Sequence, residues 1–515
     1  MRKSNDNALC SGTEKQGRGS ACFYSKNERM RMSDEFLNVQ LLISGTWQDA
    51  ADGRTLPLLD PATGETIGKI AHASKKELAL AAEGAAKGFD AWRTLTAWDR
   101  FVIMRRAANL LRERAQSIGR IMSREQGKPL EQAIIEIQGA ANVIEYFGEE
   151  GRRLNDVLVP PRAPNVEQRV LHRPVGVVAA FTPWNFPINQ IARKLGAALG
   201  AGCAVIVKAP EDTPASPAEL IRAFLDAGVP AGTVSLVYGE PAEISEYLIA
   251  HPVVRKISFT GSTPVGKHLA ALAGAQMKPV TMELGGHAPV IVCADADLDK
   301  AAERLCAAKF RNAGQVCIAP TRFLLEQSIA PTFVEKFKAR MNALKVGRGV
   351  DEGVTMGPLV NQRRVKALHD LVEDARAKGA TIWQAETAIP NEGCFFAPTL
   401  ILNPTLDMRV MQEEPFGPLA IVADFTSLSD AVAEANRLPY GLAAYAYTSN
   451  ERTQRLLGEK VEAGMVAINH HGIGVPEVPF GGIKDSGYGT EGGPEALRAH
   501  TYIKFVSSEQ AKADF

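Results

Sequence analysis

VGVVAAFTPWNFPINQIARKLGAALGAGCAVIVKAP, residues 175–210, sets two apolar runs, VGVVAAF and AVIVKAP, on either side of IARKLGAALGAG, whose apolar residues recur at helical spacing. A strand reads as an unbroken apolar run when both of its faces are covered, and a helix between two such strands is the crossover of a parallel pair. The alternation continues with a helical segment over 215–225, then SLVYG at 235–239 and KISFTG at 256–261. This predicts a doubly wound α/β sheet that binds its ligand at the carboxyl ends of the strands. A second set begins at Val290 and includes helical stretches over 333–344 and 365–378, so a second α/β domain is expected. Helical spacing over 75–92, 97–127 and 134–150 supplies helices to pack on the first sheet. Residues 152–174 then turn to prolines and the alternating run VEQRVLHRPV, which reads as a hairpin.

At 515 residues the chain exceeds what one core usually supports, and its 58 Lys and Arg balance its 58 Asp and Glu. With no basic stripe, neither nucleic acid nor an anionic membrane is expected as a partner. The apolar run 195–207, bounded by Lys194 and Lys208, is shorter than the roughly 20 residues of a membrane span. Seven cysteines, an odd count without CxxC spacing, point to reduced thiols and a cytoplasmic location. Residues 1–33 are polar and lack the apolar core of a secretory signal, so they read as a disordered tail. Gly17-Arg18-Gly19 within them has no strand before it and no helix after it, and is not a nucleotide loop.

Three stretches carry residue types suited to chemistry. In FRNAGQVCIAPTRF, residues 310–323, a helical segment stops at Asn312 and Gly314 and a strand follows, which leaves Cys317 in the loop between them. Cys203, Cys293 and Cys306 sit instead in apolar or helical surroundings and read as small buried hydrophobes. In PVTMELGGHAP, residues 279–289, Glu283 ends an apolar strand and Gly285 and Gly286 leave room for another backbone or a ligand. Taken alone, Glu283 fits a surface strand end as well as a functional carboxylate. FTGSTPVG, residues 259–266, follows a strand and places Pro264 in the first turn of a helix, so that a helix N-terminus can face phosphates, although it is not GxGxxG. The nine histidines show no HExxH spacing, and no metal is expected.

MELGG and FRNAGQVC together resemble the two active-site signatures of the aldehyde dehydrogenase superfamily, and FTPWNFP, VKAPE, SFTGSTPVG, EEPFGP and PFGGIKDSGYG extend the resemblance in order from about residue 41 to 506. The resemblance implies that family's fold: a Rossmann-like NAD-binding domain over 34–151 and 175–284, a catalytic α/β domain over 285–485, and a small β oligomerisation element from 152–174 and 486–515. It implies Cys317 as nucleophile, Glu283 as general base, and Asn185 with the Cys317 backbone N–H as oxyanion hole. Thr182, Pro183, Trp184, Phe259, Gly261, Ser262, Gly266 and Leu284 fall at cofactor positions. Lys208 and Glu211 fall at the adenosine ribose, and Glu414 and Phe416 at the nicotinamide. A carboxylate accepts from ribose hydroxyls but repels an added 2′-phosphate, so Glu211 makes NAD the expected cofactor and NADP the weaker one.

An aldehyde yields hydride once a thiolate has converted its carbonyl to an alkoxide, and water activated by Glu283 then releases the acid from the thioester. The resemblance also matches Arg193 and Arg311 to positions that grip the substrate carboxylate in succinate-semialdehyde and 2-oxoglutarate semialdehyde dehydrogenases, with Phe186 and Gln190 beside them. Residue spacing places Phe186, Gln190 and Arg193 on one face of a helix beginning near Pro187. Without the resemblance, either arginine fits an ion pair with a neighbouring carboxylate equally well. HHGIGVPEV, residues 470–478, lacks the serine of the succinate-semialdehyde group, and Ile318-Ala319 lacks its second cysteine. Another anionic aldehyde, a sulfonated one included, or a broad range of aldehydes stays open, as does a family member kept for binding or structure without turnover. The expected partners are a small aldehyde and further copies of the chain, as a homodimer or homotetramer.

Overall fold

Val177–Phe181 is the central strand of an eight-stranded sheet. Ala204–Lys208 and Val234–Val237 follow on one side of it, Val254–Thr260 and Val280–Glu283 on the other, and all five run parallel. The direction of winding therefore reverses between Val177–Phe181 and Val254–Thr260, which opens a crevice at Phe181 and Thr260, their carboxyl ends. Antiparallel edge strands, Gly487–Tyr488 at one end and Leu41–Ile43 with Thr46–Gln48 at the other, close the sheet. The computed structural model describes residues 36–509, so the reading of residues 1–33 lies outside the described residues.

The second sheet has seven strands in the order Thr381–Gln384, Thr399–Leu402, Leu419–Phe425, Pro320–Glu326, Ala288–Val292, Ala443–Tyr447 and Met465–Ile468, parallel except for the first. One apolar core covers the first sheet up to Leu284, and another begins at Ala288, so Gly285 and Gly286 lie where the chain passes between cores. A third, antiparallel sheet joins Thr501–Glu509, Val166–Pro174 and Val157–Val159. Its apolar side chains stay in solvent: Leu158 is 68% exposed, Ile503 69% and Phe505 59%.

Three details differ from the sequence reading. The helix expected over 97–127 is two, Ala97–Glu113 and Ala115–Gln126, because Arg114 at ψ 3° leaves helical geometry between them. The helix after Pro187 runs Asn189–Ala201, so Gln190 and Arg193 lie within it while Phe186 belongs to the turn before it. Not all of 486–509 joins the small sheet: Gly487–Tyr488 pairs with Val280–Glu283, and helix Gly493–Arg498 packs on Leu130–Gly151 and Asn189–Ala201. Two-residue strands carry no periodicity by which the sequence could show them.

Candidate active site

The loop presenting Cys317 is held by its own polar groups. Helix Leu298–Phe310 ends in a turn where Asn312 (φ 51°), Ala313 (φ 52°) and Gly314 (φ 72°) all adopt the left-handed conformation. For Ala313 that conformation costs roughly 1–2 kcal/mol, so the surroundings must enforce it. The Gln132 side chain accepts from the Asn312 amide (2.9 Å), the Gln315 side chain donates to the Asn312 carbonyl (3.1 Å) and accepts from the Val360 amide (3.0 Å). Beyond the cysteine, the Tyr445 hydroxyl donates to the Ile318 carbonyl (2.7 Å). A Cβ on Gly286 would lie 2.9 Å from the Cys317 carbonyl oxygen, and one on Gly285 2.7 Å from Glu414 Oε2. The glycine pair is thus what lets the Cys317 loop and the Glu414 carboxyl close on the end of the Glu283 strand.

Cys317 is half-buried where two cavities meet. Burial, with Glu414 and Glu283 nearby, pushes its thiol up to about 12 against the lowering pull of Arg193 and Arg311. The resting group is the thiol, so attack on a carbonyl needs a proton acceptor and not only a polarised site. Asn185, 2% exposed, lines the larger cavity beside it. Its Nδ2 donates to the Gln315 carbonyl (3.1 Å), which fixes the NH2 edge toward the cysteine loop and leaves its second hydrogen for another acceptor.

Glu283 is the catalytic candidate that lines neither cavity. It is 2% exposed, and neither carboxylate oxygen has a hydrogen-bond partner. Burial and the adjacent Glu491 hold its carboxyl well above the usual range, while Lys194 and Arg193 pull the other way. Lys194 is itself committed to Glu491 and to the hydroxyls of Ser258 (3.2 Å) and Thr260 (2.8 Å). This arrangement favours the protonated carboxyl of Glu283, and base chemistry requires the carboxylate form, turned toward the cysteine.

The smaller cavity, about 220 Å³, is walled by Ile135, Phe186, Val316, Ile318 and Phe480 and carries Gln190, Arg193 and Arg311. Among the described residues neither arginine forms an ion pair, although the charges of Glu491 and Glu283 act on Arg193. Arg193, 4% exposed, donates to the carbonyls of Gly474 (2.6 Å) and Glu491 (3.2 Å) and lies over the Phe480 ring at 4.4 Å. Arg311 is exposed and lies 5.3 Å over the Phe186 ring. Gln190 Oε1 is buried without a partner. Arg193 and Arg311 thus stand among apolar walls with no carboxylate bonded to either, beside the buried Lys128 and Glu136.

The larger cavity, about 850 Å³, occupies the crevice between the reversing strands. Of the sequence-derived cofactor positions, Thr182, Pro183, Trp184, Lys208, Phe259, Gly261, Ser262, Leu284, Glu414 and Phe416 line it. Gly266 and Glu211 do not: a Cβ on Gly266 would meet Leu284 at 2.2 Å, so that glycine seats the helix on the strand. Glu211 accepts from Lys208 Nζ (2.6 Å) and the Gly239 amide (3.0 Å) at the cavity margin. Helix Thr263–Ala275 opens into the cavity with no side-chain cap at Ser262, and the buried Thr182 hydroxyl has no partner. Free amides at a helix start, an unused hydroxyl and a Lys–Glu pair fit a dinucleotide with its pyrophosphate at the helix. Phe416 holds φ 43°, rare for a bulky residue, because Arg364 donates to the carbonyls of Pro415 (2.6 Å) and Phe416 (3.1 Å), and its ring meets Trp184 edge-on at 5.5 Å. Burial raises the Glu414 carboxyl to about 7.

Sequence reasoning missed Lys128, Gln132, Glu136, Lys194, Glu491 and Phe480, which surround these groups. The one available signal was charge at positions that a helix pattern assigns to the interior, as at Glu136 between Ala133 and Ile137, both fully buried.

The profile of the aldehyde dehydrogenase family matches residues 47–506. The chain is 45% identical over 467 residues to the 4-(hydroxymethyl)benzenesulfonate dehydrogenase of Comamonas testosteroni, spanning 91% of this chain and 97% of the relative. It is 40% identical to the NADP-dependent succinate-semialdehyde dehydrogenase of Escherichia coli, over 93% of this chain and 99% of that one. The crystal structure of succinate-semialdehyde dehydrogenase from Burkholderia pseudomallei superposes with a TM-score of 0.90 at 41% identity, over 92% of this chain and 98% of that one.

Proposed function

The chain belongs to the aldehyde dehydrogenase family, and we propose that within it this protein oxidises an anionic semialdehyde, succinate semialdehyde or 2-oxoglutarate semialdehyde, to the carboxylic acid with NAD preferred. The observation that carries the reading is the pair Arg193 and Arg311, both without a carboxylate partner, in the cavity that meets the other at Cys317. In the reaction the Cys317 thiol gives its proton to solvent, its Sγ bonds to the aldehyde carbon, and the carbonyl oxygen becomes an alkoxide. The free hydrogen of Asn185 Nδ2 and the Cys317 amide hold that oxygen. Bound NAD supplies the hydride acceptor. Lys208, with Glu211 paired to it, would hold its adenosine ribose, and Trp184 and Phe416 would face its nicotinamide end. Hydride loss leaves a thioester on Cys317. Glu283, once deprotonated, takes a proton from water as the water oxygen attacks, and the carboxylic acid and the thiol are released.

Arg193→Ala tests this reading. Loss of a charge-assisted hydrogen bond, of order 1.5–3 kcal/mol, is expected to lower kcat/KM for succinate semialdehyde roughly 10- to 150-fold. Butyraldehyde makes no such bond, so its kcat/KM should change only a few-fold. A parallel fall for both aldehydes would make Arg193 a brace for the Gly474 and Glu491 carbonyls and remove the basis for an anionic substrate.

A second reading, a sulfonated aromatic aldehyde, is favoured by the 45% identity to a 4-(hydroxymethyl)benzenesulfonate dehydrogenase and by the Phe186 and Phe480 walls of the cavity. It uses the same arginines, and a kcat/KM for 4-sulfobenzaldehyde above that for succinate semialdehyde would select it.

The NAD preference is read from Glu211, paired with Lys208 beside the larger cavity, since a carboxylate near the adenosine ribose would repel an added 2′-phosphate. Glu211→Ser is expected to raise kcat/KM for NADP while lowering it for NAD. Equal use of both cofactors by the unaltered enzyme would refute the assignment. The exposed apolar sheet of Thr501–Glu509, Val166–Pro174 and Val157–Val159 supports subunit pairing in a homodimer or homotetramer. Among the described residues no helix is long and apolar enough to cross a membrane, and five cysteines are free, in keeping with a cytoplasmic enzyme.

A further inference from the structure

Lys128 and Glu136 take no part in the steps above, yet both lie at the wall of the substrate-side cavity and both are almost wholly buried, at 1% and 4% exposure. Lys128 Nζ lies 2.5 Å from Glu136 Oε2. Burying two charges is costly unless geometry and further hydrogen bonds compensate, and here the further bonds converge on one turn. Lys128 Nζ donates to the Asn185 carbonyl (2.8 Å), which also accepts from Asn312 Nδ2 (2.9 Å). Glu136 Oε1 accepts from the amides of Ile188 (3.0 Å) and Asn189 (3.1 Å), where helix Asn189–Ala201 begins without a side-chain cap of its own. The pair therefore grips both ends of residues 185–189. Between those ends, the Phe186 ring lies 4.2 Å beneath the ammonium.

That turn carries Asn185. A backbone held at the carbonyl of residue 185 and at the amides of residues 188 and 189 has little freedom to rotate, so the direction of the Asn185 side chain is set by the pair as well as by the Gln315 carbonyl. We propose that Lys128 and Glu136 are positioning residues for the oxyanion donor: a buried ion pair that fixes where the Asn185 amide points and touches neither the aldehyde nor the cofactor. This inference rests on the reading of Asn185 as the alkoxide donor. It requires the pair to matter when the alkoxide forms and not when the thiol is ionised or the aldehyde is bound.

The test is a double-mutant cycle between Lys128→Met and Asn185→Ala, read as the single-turnover rate of NADH formation. Removing one oxyanion donor lowers such rates by about 10²- to 10³-fold, and a misdirected donor should lose about 10- to 100-fold, with KM for the aldehyde unchanged within about threefold. Adding Lys128→Met to Asn185→Ala should cost nothing further, because the group it positions is already gone. The rate at which iodoacetamide alkylates Cys317 should be the same in all four proteins. Since Lys128→Met leaves a buried carboxylate alone, the Lys128→Met/Glu136→Leu double variant, which removes both charges, is carried through the same cycle and should give the same pattern. Losses that multiply in the cycle, or an alkylation rate that falls with the NADH rate, would overturn the proposal. If Asn185→Ala alone leaves the NADH rate unchanged, the oxyanion reading itself fails, and that outcome is distinct from a failure of the pair.

Discussion

Cys317→Ala is expected to reduce dehydrogenase turnover by at least about 10⁴-fold, because loss of a nucleophile that acts as one unit with its base and its oxyanion donors removes nearly all of their joint effect. Folding and cofactor binding should survive. The side chain is small, and the loop is held by Gln132, Gln315 and Tyr445 through bonds that do not involve the sulfur. Cofactor affinity measured by quenching of protein fluorescence should therefore match the unaltered enzyme. Cys203 and Cys306 cannot substitute, since both are buried in apolar surroundings and neither lines either cavity. Activity within tenfold of the unaltered enzyme would place the nucleophile elsewhere.

What could be seen in advance of the structure followed from periodicity and from sterically constrained residues. The apolar strands on either side of IARKLGAALGAG had to be buried on both faces, which dictated the parallel sheet and the crevice at Phe181 and Thr260. Gly285 and Gly286 were legible because only a missing Cβ permits the approaches of Glu414 and of the Cys317 loop. Illegible were features that depend on long-range pairing. Lys128 reaches Asn185, 57 residues away, and Glu491 meets Lys194, 297 residues away, and no local pattern links either pair. The two-residue strand Gly487–Tyr488 was hidden for the same reason, since its pairing with Val280–Glu283 is set by where the chain returns and not by its own composition. The orientation of Glu283 away from both cavities was equally invisible, because sequence identifies a carboxylate without fixing its rotamer.

That orientation gives the second large effect. A base whose carboxyl is held well above the usual range by burial and by Glu491 gains its basic form as pH rises through that raised pKa. Where thioester hydrolysis limits turnover, kcat should climb with pH through a range higher than that of an ordinary carboxyl. Glu283→Gln should abolish that climb and depress steady-state turnover by about 10²- to 10⁴-fold, the usual worth of a general base. The first turnover should remain, so a stopped-flow trace should show a burst of NADH near one equivalent per subunit and then almost nothing. Loss of the burst would show that Glu283 also deprotonates the thiol, for which the raised Cys317 pKa creates a need.

The arrested thioester allows the whole account to be read in one spectrum. Glu283→Gln protein is mixed with NAD and an equimolar set of succinate semialdehyde, 4-sulfobenzaldehyde and butyraldehyde, quenched in acid after the burst, and analysed by intact-protein and peptide mass spectrometry. The account predicts a single acyl group per subunit, located on the peptide containing Cys317, with the mass of one of the two anionic acyl groups and butyryl a minor species. A predominantly butyryl adduct, or an acyl group on any other cysteine, would contradict it.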